Sequence, residues 1–280
     1  MFVTCLLVSG SRRKGTANCA LNLHRAQTAT WAASRSTQQL QVQGWRKPVK
    51  PGACQVLNAQ LTVFRNPKSG GPGAQASREP PSFAQVLREM APTGKLDDFV
   101  VYDSDGKQHQ LLDVVGSYGP EDKDMKATLV IWPRHFGCVL CRRLVKELAA
   151  REQAFRQERK WRLMVIGCGT PEQAAKFRTD ATLGPLPASI PVYTDPLRRS
   201  YLALRFRRGI LSTFNLPALQ NILDSFQKGE RQRWDMIPPD AFQQGGIALI
   251  ERDTGALWML YRSQYAGDAP TAEDLLNIEL

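Results

Sequence analysis

The chain reads Ala127-Thr-Leu-Val-Ile-Trp132 and then Pro133-Arg-His-Phe-Gly-Cys-Val-Leu-Cys141, and this junction is its strongest structural signal. The first six residues form an apolar run typical of a buried strand, and the residues after the junction have helical spacing. Cys138 therefore stands at the start of a helix, with Cys141 one turn further in. The sequence predicts a Cys-x-x-Cys pair at the N-terminus of the first core helix.

This position favours redox chemistry. A helix N-terminus offers free N–H groups and a partial positive charge, which stabilise a thiolate. We expect Cys138 to be the nucleophile, and Cys141 to stay protonated until it attacks oxidised Cys138 and closes a disulfide. Arg134, His135 and the pair Arg142–Arg143 give the site a basic setting that lowers a thiol pKa. The alternative is a pair of small structural thiols in the core.

Three neighbouring residues, His135, Arg134 and Cys168, have two interpretations each. His135 either pairs with the thiolate or caps the loop, and Arg134 either steers an anionic or hydroperoxide group or faces solvent. Trp132 is predicted to be a packing residue. Cys168 ends the second strand on the same side of the sheet, so it is either a third redox thiol or a small residue filling a strand end.

The order of elements predicts the fold. From residue 127 the chain alternates two strand and helix units, adds a short strand and an insertion, and then closes with a hairpin and a helix. The predicted segments are strands 127–132, 161–166, 190–194, 247–250 and 257–261, and helices 138–159, 171–177, 195–204 and 271–278. This is the order of a thioredoxin-like α/β fold with three layers and a mixed central sheet.

Two further segments accompany this core. Before it, a helix capped by Ser82 and a hairpin of 99–102 with 109–115 are predicted. Within it, residues 205–243 are predicted to be a helical insertion, whose helix is capped by Asn215. The apolar stripe of that helix is formed by Leu216, Leu219, Ile222, Leu223 and Phe226.

The N-terminal region differs in composition from the rest. Residues 1–78 contain eleven Lys and Arg and no acid, so the whole net charge of +11 comes from this segment. A basic, acid-free leader of this kind is typical of an organelle transit peptide, most often of a chloroplast and otherwise of a mitochondrion. A disordered basic tail, or a tail that contacts nucleic acid, are the alternatives. We therefore divide the chain into a disordered leader with a Gly/Pro linker (1–80) and a thioredoxin-like domain (81–280).

Other classes of protein are excluded by composition. Six cysteines and three histidines offer no second close pair at zinc-ligand spacing, so we expect no metal site. No phosphate-binding glycine loop is present, and we expect no bound cofactor. Aromatic residues are not interleaved regularly enough for base stacking, so no nucleic-acid partner is expected, and no apolar segment has transmembrane length.

Two motifs resemble a known family. Arg134-His-Phe-Gly-Cys-Val-Leu-Cys141 and Gln243-Gln-Gly-Gly-Ile-Ala-Leu-Ile250 are similar to stretches of the peroxiredoxin-like 2 family, in the alkyl hydroperoxide reductase/thiol-specific antioxidant superfamily. The resemblance covers about residues 97–280, and the active-site stretch is also similar to that of the prostamide/prostaglandin F synthase branch. It implies an antioxidant dithiol oxidoreductase, in which Cys138 matches the reactive cysteine and Cys141 its partner.

Two features differ from the related families. His135 stands where peroxiredoxins proper have a threonine that orients the peroxide, and Gly246 precedes Ile247 where thioredoxins have a cis-proline. Gly245 and Gly246 are predicted to bring backbone amides close to the substrate.

The sequence thus predicts an oxidoreductase that reduces a small hydroperoxide or lipid substrate and forms a redox-active 138–141 disulfide. A thioredoxin- or glutaredoxin-type electron donor would restore the dithiol. The alternatives are a reductase of endoperoxide lipids and a redox-sensitive binding module with little turnover.

Overall fold

A computed structural model describes residues 56–57, 61–63, 80–180, 184–213, 215–238 and 241–278. The predicted linker at 67–76 and most of the predicted disordered leader lie outside the described residues. Two short strands inside the leader, however, belong to the central sheet. The proposed domain boundary near residue 80 stays a prediction.

Nine strands and nine α-helices are described. The strands are β1 (Val56–Leu57), β2 (Leu61–Val63), β3 (Val100–Tyr102), β4 (Gln108–Gln110), β5 (Ala127–Trp132), β6 (Trp161–Gly167), β7 (Val192–Thr194), β8 (Gly246–Glu251) and β9 (Leu257–Arg262). The helices are α1 (Phe83–Met90), α2 (Leu111–Gly116), α3 (Val139–Ala150), α4 (Glu152–Ala154), α5 (Pro171–Arg178), α6 (Arg199–Ala203), α7 (Ile210–Thr213), α8 (Leu216–Gln227) and α9 (Ala272–Leu276).

The strands form one mixed sheet in the order β1-β2-β9-β8-β5-β6-β7-β3-β4. The central strands β5, β6 and β7 are parallel, whereas β8 runs antiparallel to β5 and pairs with β9 as a hairpin. Every residue of β5 and β6 is buried, as expected for parallel strands covered on both faces. The predicted α/β fold with a mixed central sheet is confirmed.

Alternate residues of the central strands enter two separate cores. Leu129 and Ile131 face a core closed by α3, α5 and α9, whereas Val130 and Trp132 face one closed by α1, α2 and α6. The sheet is therefore the middle of three layers. Because β5 is central and leads directly into α3, the loop between them lies at the C-terminal edge of the parallel strands, where α/β folds place their sites.

Three sequence predictions differ from the structure. Residues 111–116 form helix α2 rather than a strand, because Leu111, Val114 and Val115 are buried together at helical spacing. The predicted helix 138–159 is divided, since α3 ends at Ala150 and is followed by α4 and a π-helical turn at Phe155–Arg159. The third difference, the orientation of α8, is described below. In the part of the chain that the structure describes, no helix has the length and apolar character needed to cross a membrane.

Candidate active site

Cys138 is the N-cap residue of α3, and its backbone has an extended conformation. Cys138, Cys141 and Cys168 are all free thiols, so the described state is the reduced one. The first free amide of the helix, Val139 N–H, donates to the side-chain oxygen of Gln232 at 3.0 Å. The cysteine pair therefore lies at the N-terminus of the helix, as the sequence predicts. One free amide of this N-terminus is bound by Gln232, a residue of the insertion.

Arg134 contacts all three cysteines. Its guanidinium Nη1 donates to Cys138 Sγ at 3.5 Å, and its backbone N–H donates to Cys141 Sγ at 3.2 Å. Its backbone carbonyl accepts a hydrogen bond of 2.8 Å from the Cys168 thiol. One residue of the β5–α3 loop thus fixes the positions of three sulfur atoms.

The Arg134 side chain is held by the insertion. Nε donates to the Gln243 carbonyl at 3.2 Å, and Nη2 donates to Thr213 Oγ1 and to the Ala241 carbonyl at 3.1 and 2.8 Å. The guanidinium is buried, and it has no carboxylate among these partners. Its positive charge therefore remains available to a Cys138 thiolate, unlike that of an arginine in a salt bridge.

The two thiols of the pair have opposite pKa shifts. A hydrogen bond from the Cys141 thiol and the charge of Arg134 hold the pKa of Cys138 well below its usual value, although burial acts in the other direction. The same hydrogen bond, burial and the negative charge on Cys138 raise the pKa of Cys141 well above its usual value. The pair is thus arranged as one thiolate stabilised by one neighbouring thiol.

His135 is neutral in this site at physiological pH. Burial lowers its pKa to about 4, and the nearby Arg134 charge acts in the same direction. Its Nδ1 atom is buried and has no hydrogen-bond partner in the described part of the chain. The ring therefore adds no charge to the basic setting predicted from the sequence, but it keeps a free nitrogen next to the thiolate.

The other predicted cations point away from the sulfur atoms. Arg142 forms a buried ion pair of 2.8 Å with Asp180, and Arg143 donates to Ser225 Oγ on α8 at 3.1 Å. Of the four basic side chains around the motif, that of Arg134 is the one with a described hydrogen bond to Cys138 Sγ. Asp180 also binds Arg233 at 2.9 Å, so this carboxylate joins α3 to the insertion.

A segment of the insertion, residues 228–238, covers the cysteine pair. Gly137 N–H donates to the Met236 carbonyl, and Arg233 N–H donates to the Gly137 carbonyl, both at 3.1 Å. A Cβ atom on Gly137 would lie 2.3 Å from the Arg233 carbonyl oxygen, so only glycine permits this approach. As a result Cys138 is only 2% exposed.

A cavity of about 110 Å³ opens beside the pair and is lined by Cys141, Gly245 and Gly246, but not by Cys138. Gly245 packs so closely on β5 that a Cβ atom there would lie 1.9 Å from the Trp132 carbonyl oxygen. The two glycines are therefore near the sulfur of Cys141, with Gly245 needed for packing. In the described residues, no cluster of three or more His, Cys, Asp and Glu side chains is placed to hold a metal ion.

Other residues of the site were not singled out from the sequence. Thr213 accepts a hydrogen bond from Arg134 and orients it, and Gln232 accepts one from the first free amide of α3. Asp180 forms an ion pair with Arg142. Gln243 and Gln244, which the sequence motif does include, anchor the insertion: their side chains donate to the Arg207 carbonyl and to Thr213 Oγ1 at 3.1 Å. These residues are far apart in the sequence, and no local pattern indicates that they meet.

Part of the chain is similar to a known protein family. Residues 147–264 match the AhpC/TSA antioxidant enzyme family. The match spans less than half of this chain. The match begins after Cys141, so it covers strands β6 to β9 and the insertion, but neither β5 nor the cysteine pair.

Proteins similar to this chain have thioredoxin-like and peroxiredoxin-like names. Thioredoxin-like protein AAED1, chloroplastic, of Arabidopsis thaliana is 34% identical over 161 residues, which cover 55% of this chain and 62% of the relative. Peroxiredoxin-like 2C of Homo sapiens is 31% identical over 135 residues, 45% of this chain and 56% of the relative. The chain thus spans about three fifths of the length of these relatives. The crystal structure of peroxidoxin BcpB from Mycobacterium tuberculosis aligns with a TM-score of 0.41 and 13% identity over 64% of this chain and 88% of that chain.

Proposed function

We propose that this protein belongs to the AhpC/TSA family and is a dithiol oxidoreductase of peroxiredoxin-like type, which reduces a hydroperoxide through Cys138 and Cys141. The observation that carries the proposal is the double contact of Arg134, whose guanidinium meets Cys138 Sγ while its amide meets Cys141 Sγ. A cation at the first sulfur and a retained proton at the second are what a nucleophile and a resolving thiol require.

The proposed cycle has three steps. The Cys138 thiolate attacks the outer peroxide oxygen, the O–O bond breaks, and the proton of the peroxide passes to the departing alkoxide. An alcohol leaves and Cys138 becomes a sulfenate, which takes a proton from water to form the sulfenic acid. Cys141 then attacks the Cys138 sulfur, the S–O bond breaks, and water leaves as the disulfide forms. An external dithiol donor reduces this disulfide and is itself oxidised to a disulfide.

The cavity supports a route for the donor. Because it is lined by Cys141 and not by Cys138, a donor thiolate entering it would attack the Cys141 sulfur. The S–S bond would then break with Cys138 as the leaving thiolate, next to the Arg134 guanidinium, and a thiol of low pKa leaves faster. A second donor thiol would release Cys141. The donor in this proposal is a protein of thioredoxin or glutaredoxin type.

Two cysteine variants test the assignment of roles. We expect Cys138→Ser to abolish turnover of alkyl hydroperoxides. We expect Cys141→Ser to accumulate a Cys138 sulfenic acid, which a dimedone probe followed by mass spectrometry detects. Cys168→Ser is the matched control, because this thiol contacts Arg134 without belonging to the pair, and it should keep turnover. Equal residual turnover in the Cys138 and Cys141 variants would contradict the assignment.

A second candidate function is favoured by the burial of Cys138. A nucleophile only 2% exposed suits a redox-sensitive binding module, in which the disulfide changes a surface and turnover is low. Alkyl hydroperoxides and endoperoxide lipids should be supplied side by side, because the active-site resemblance also implies an endoperoxide reductase. Cycling of the 138–141 disulfide without turnover of either substrate would favour the module.

We also propose import into chloroplasts. This rests on the acid-free basic composition of residues 1–78 and on the likeness to a chloroplastic relative. A fluorescent protein fused to residues 1–80 should enter plastids. Entry into mitochondria would support the alternative organelle, and a diffuse cytosolic signal would contradict an organelle address.

A further inference from the structure

Helix α8 has its hydrophobic face turned toward solvent. Positions 216, 219, 223 and 226 lie on one face of the helix by their three- and four-residue spacing, and all four are large apolar residues that are exposed. Leu216 is 69% exposed and Leu223 is 60% exposed. The sequence predicted this stripe as the apolar face of the helix, and a surface helix normally buries such a face.

The inner face of α8 is instead small and polar. Ala218 packs against the cluster that contains Cys138 and Cys141, and Ser225 accepts a hydrogen bond from Arg143 on α3. Both residues are fully buried. Small side chains let α8 lie close to the start of α3, and therefore its large side chains have no room on that side.

The exposed apolar surface continues beyond α8. Seven of the ten large apolar side chains that are exposed in the described residues lie between positions 210 and 234. They are Ile210, Leu211, Leu216, Leu219, Leu223, Phe226 and Trp234. We name this set the outer apolar face. Such concentrations mark interaction sites rather than ordinary surface.

Basic residues flank the outer apolar face at both ends. Arg205, Arg207 and Arg208 precede α7, and Lys228 and Arg231 follow α8, all of them exposed. Residues 205–234 contain six basic residues against two acids, whereas the chain from residue 79 onward has equal numbers of both. The segment that contains the exposed apolar helix is thus locally basic within a part of the chain whose charges balance.

We propose that the outer apolar face docks on a lipid bilayer with anionic head groups. An apolar helix surface with flanking cations is the composition of an interfacial helix, in which the side chains enter the acyl region and the cations meet lipid phosphates. Leucine and isoleucine predominate in the face, whereas energetic centres of protein interfaces are enriched in Trp, Tyr and Arg and poor in Leu. The composition therefore favours lipid over a protein partner.

Docking would bring the cysteine pair close to the bilayer. Ala218 on the inner face of α8 contacts the Cys138 and Cys141 cluster, so a single helix, about 10 Å across, separates the pair from the docked surface. The proposal does not depend on the redox function. A failed vesicle experiment and a failed turnover experiment would therefore be distinguishable.

The test is cosedimentation of the full chain with vesicles of phosphatidylcholine, with and without phosphatidylglycerol. Leu216→Gln/Leu223→Gln removes two side chains of the outer apolar face without changing charge, and we expect the partition coefficient to fall at least about tenfold. The matched control is Leu197→Gln/Leu202→Gln. Leu197 precedes α6 and Leu202 lies within it. They are 66% and 60% exposed, but α6 belongs to the opposite layer of the fold from α8. The control pair should bind as the unchanged chain does.

The basic residues of the leader would also attract anionic vesicles. All variants therefore keep residues 1–80 unchanged. Lys228→Gln/Arg231→Gln should weaken binding to phosphatidylglycerol vesicles by about fivefold per charge removed. Failure of the unchanged chain to sediment with vesicles would overturn the proposal, and so would equal losses in the two leucine pairs. Conversion of a dimer to a monomer by Leu216→Gln/Leu223→Gln, with vesicle binding unchanged, would assign the face to a second copy of the chain instead.

Discussion

Replacing Arg134 by methionine removes the one described cation at the Cys138 sulfur. The guanidinium nitrogen lies 3.5 Å from Sγ. Two unit charges at that distance attract by about 5 kcal/mol at an effective dielectric constant of about 20. Burial of both groups offsets part of this energy, and a hydrogen bond to a charged group contributes about 1.5–3 kcal/mol net. Below the pKa of Cys138, we therefore expect the thiolate population to fall about ten- to hundredfold.

Alkylation of the Cys138 peptide across pH measures this effect. The rate with iodoacetamide, followed by mass spectrometry, should rise with pH in both proteins, with a midpoint at higher pH in Arg134→Met. The midpoint is the readout, because the loss of the bonds to Thr213 and Ala241 also loosens the insertion and changes access to the sulfur.

Arg142→Met is the matched control. Arg142 is as buried as Arg134 and lies at the same end of α3, but its guanidinium binds Asp180 and has no described contact with either sulfur. This variant should lose stability while keeping the pH midpoint of Cys138 alkylation. An unchanged midpoint in Arg134→Met, or an equal shift in both variants, would refute the role of the Arg134 charge.

The free energy of unfolding should depend on His135 in acid, because the unfolded chain gains a proton near pH 6.5 that the buried ring accepts only near pH 4. Between about pH 7 and pH 4, urea titrations should show about 3 kcal/mol more loss in the wild type than in His135→Gln, and equal loss in both proteins would contradict the burial argument. Gly137→Ala forces a Cβ atom to within 2.3 Å of the Arg233 carbonyl oxygen, so we expect a loss of about 1–3 kcal/mol and faster alkylation of Cys138. Gly116→Ala, which meets open space, should change neither quantity, and unchanged alkylation in Gly137→Ala would show that this contact does not limit access.

The central fold was predictable because its signals are local. Strands β5 and β6 are continuous apolar runs, and Ser82, Thr170 and Thr271 cap the helices that follow them through side-chain bonds to the backbone. The predicted hairpin is confirmed where β3 pairs with β4, but residues 111–115 were predicted wrongly as strand, because apolar residues in so short a run fit both periods. Their docking on the sheet selected the helix.

The candidate site was predictable only in part. The motif itself indicates Cys138, Cys141, Arg134 and His135, and all four meet at the start of α3. The sequence predicted four basic side chains around the thiolate. In the structure Arg142 binds Asp180 and Arg143 binds Ser225, while burial keeps His135 neutral. Partners from distant parts of the chain therefore decide which charges reach the sulfur.

The chain sequence by itself determined the strand and helix order, the cysteine pair at a helix start and the uneven charge of the N-terminal region, since each depends on neighbouring residues. Tertiary structure alone decided that Arg134 holds three sulfur atoms, that the insertion covers Cys138, and that α8 turns its leucines outward. Periodicity fixes which residues share a helix face, but not which way the face points. That choice depends on packing beside α3, where the small side chain of Ala218 is fully buried in the cluster of the cysteine pair.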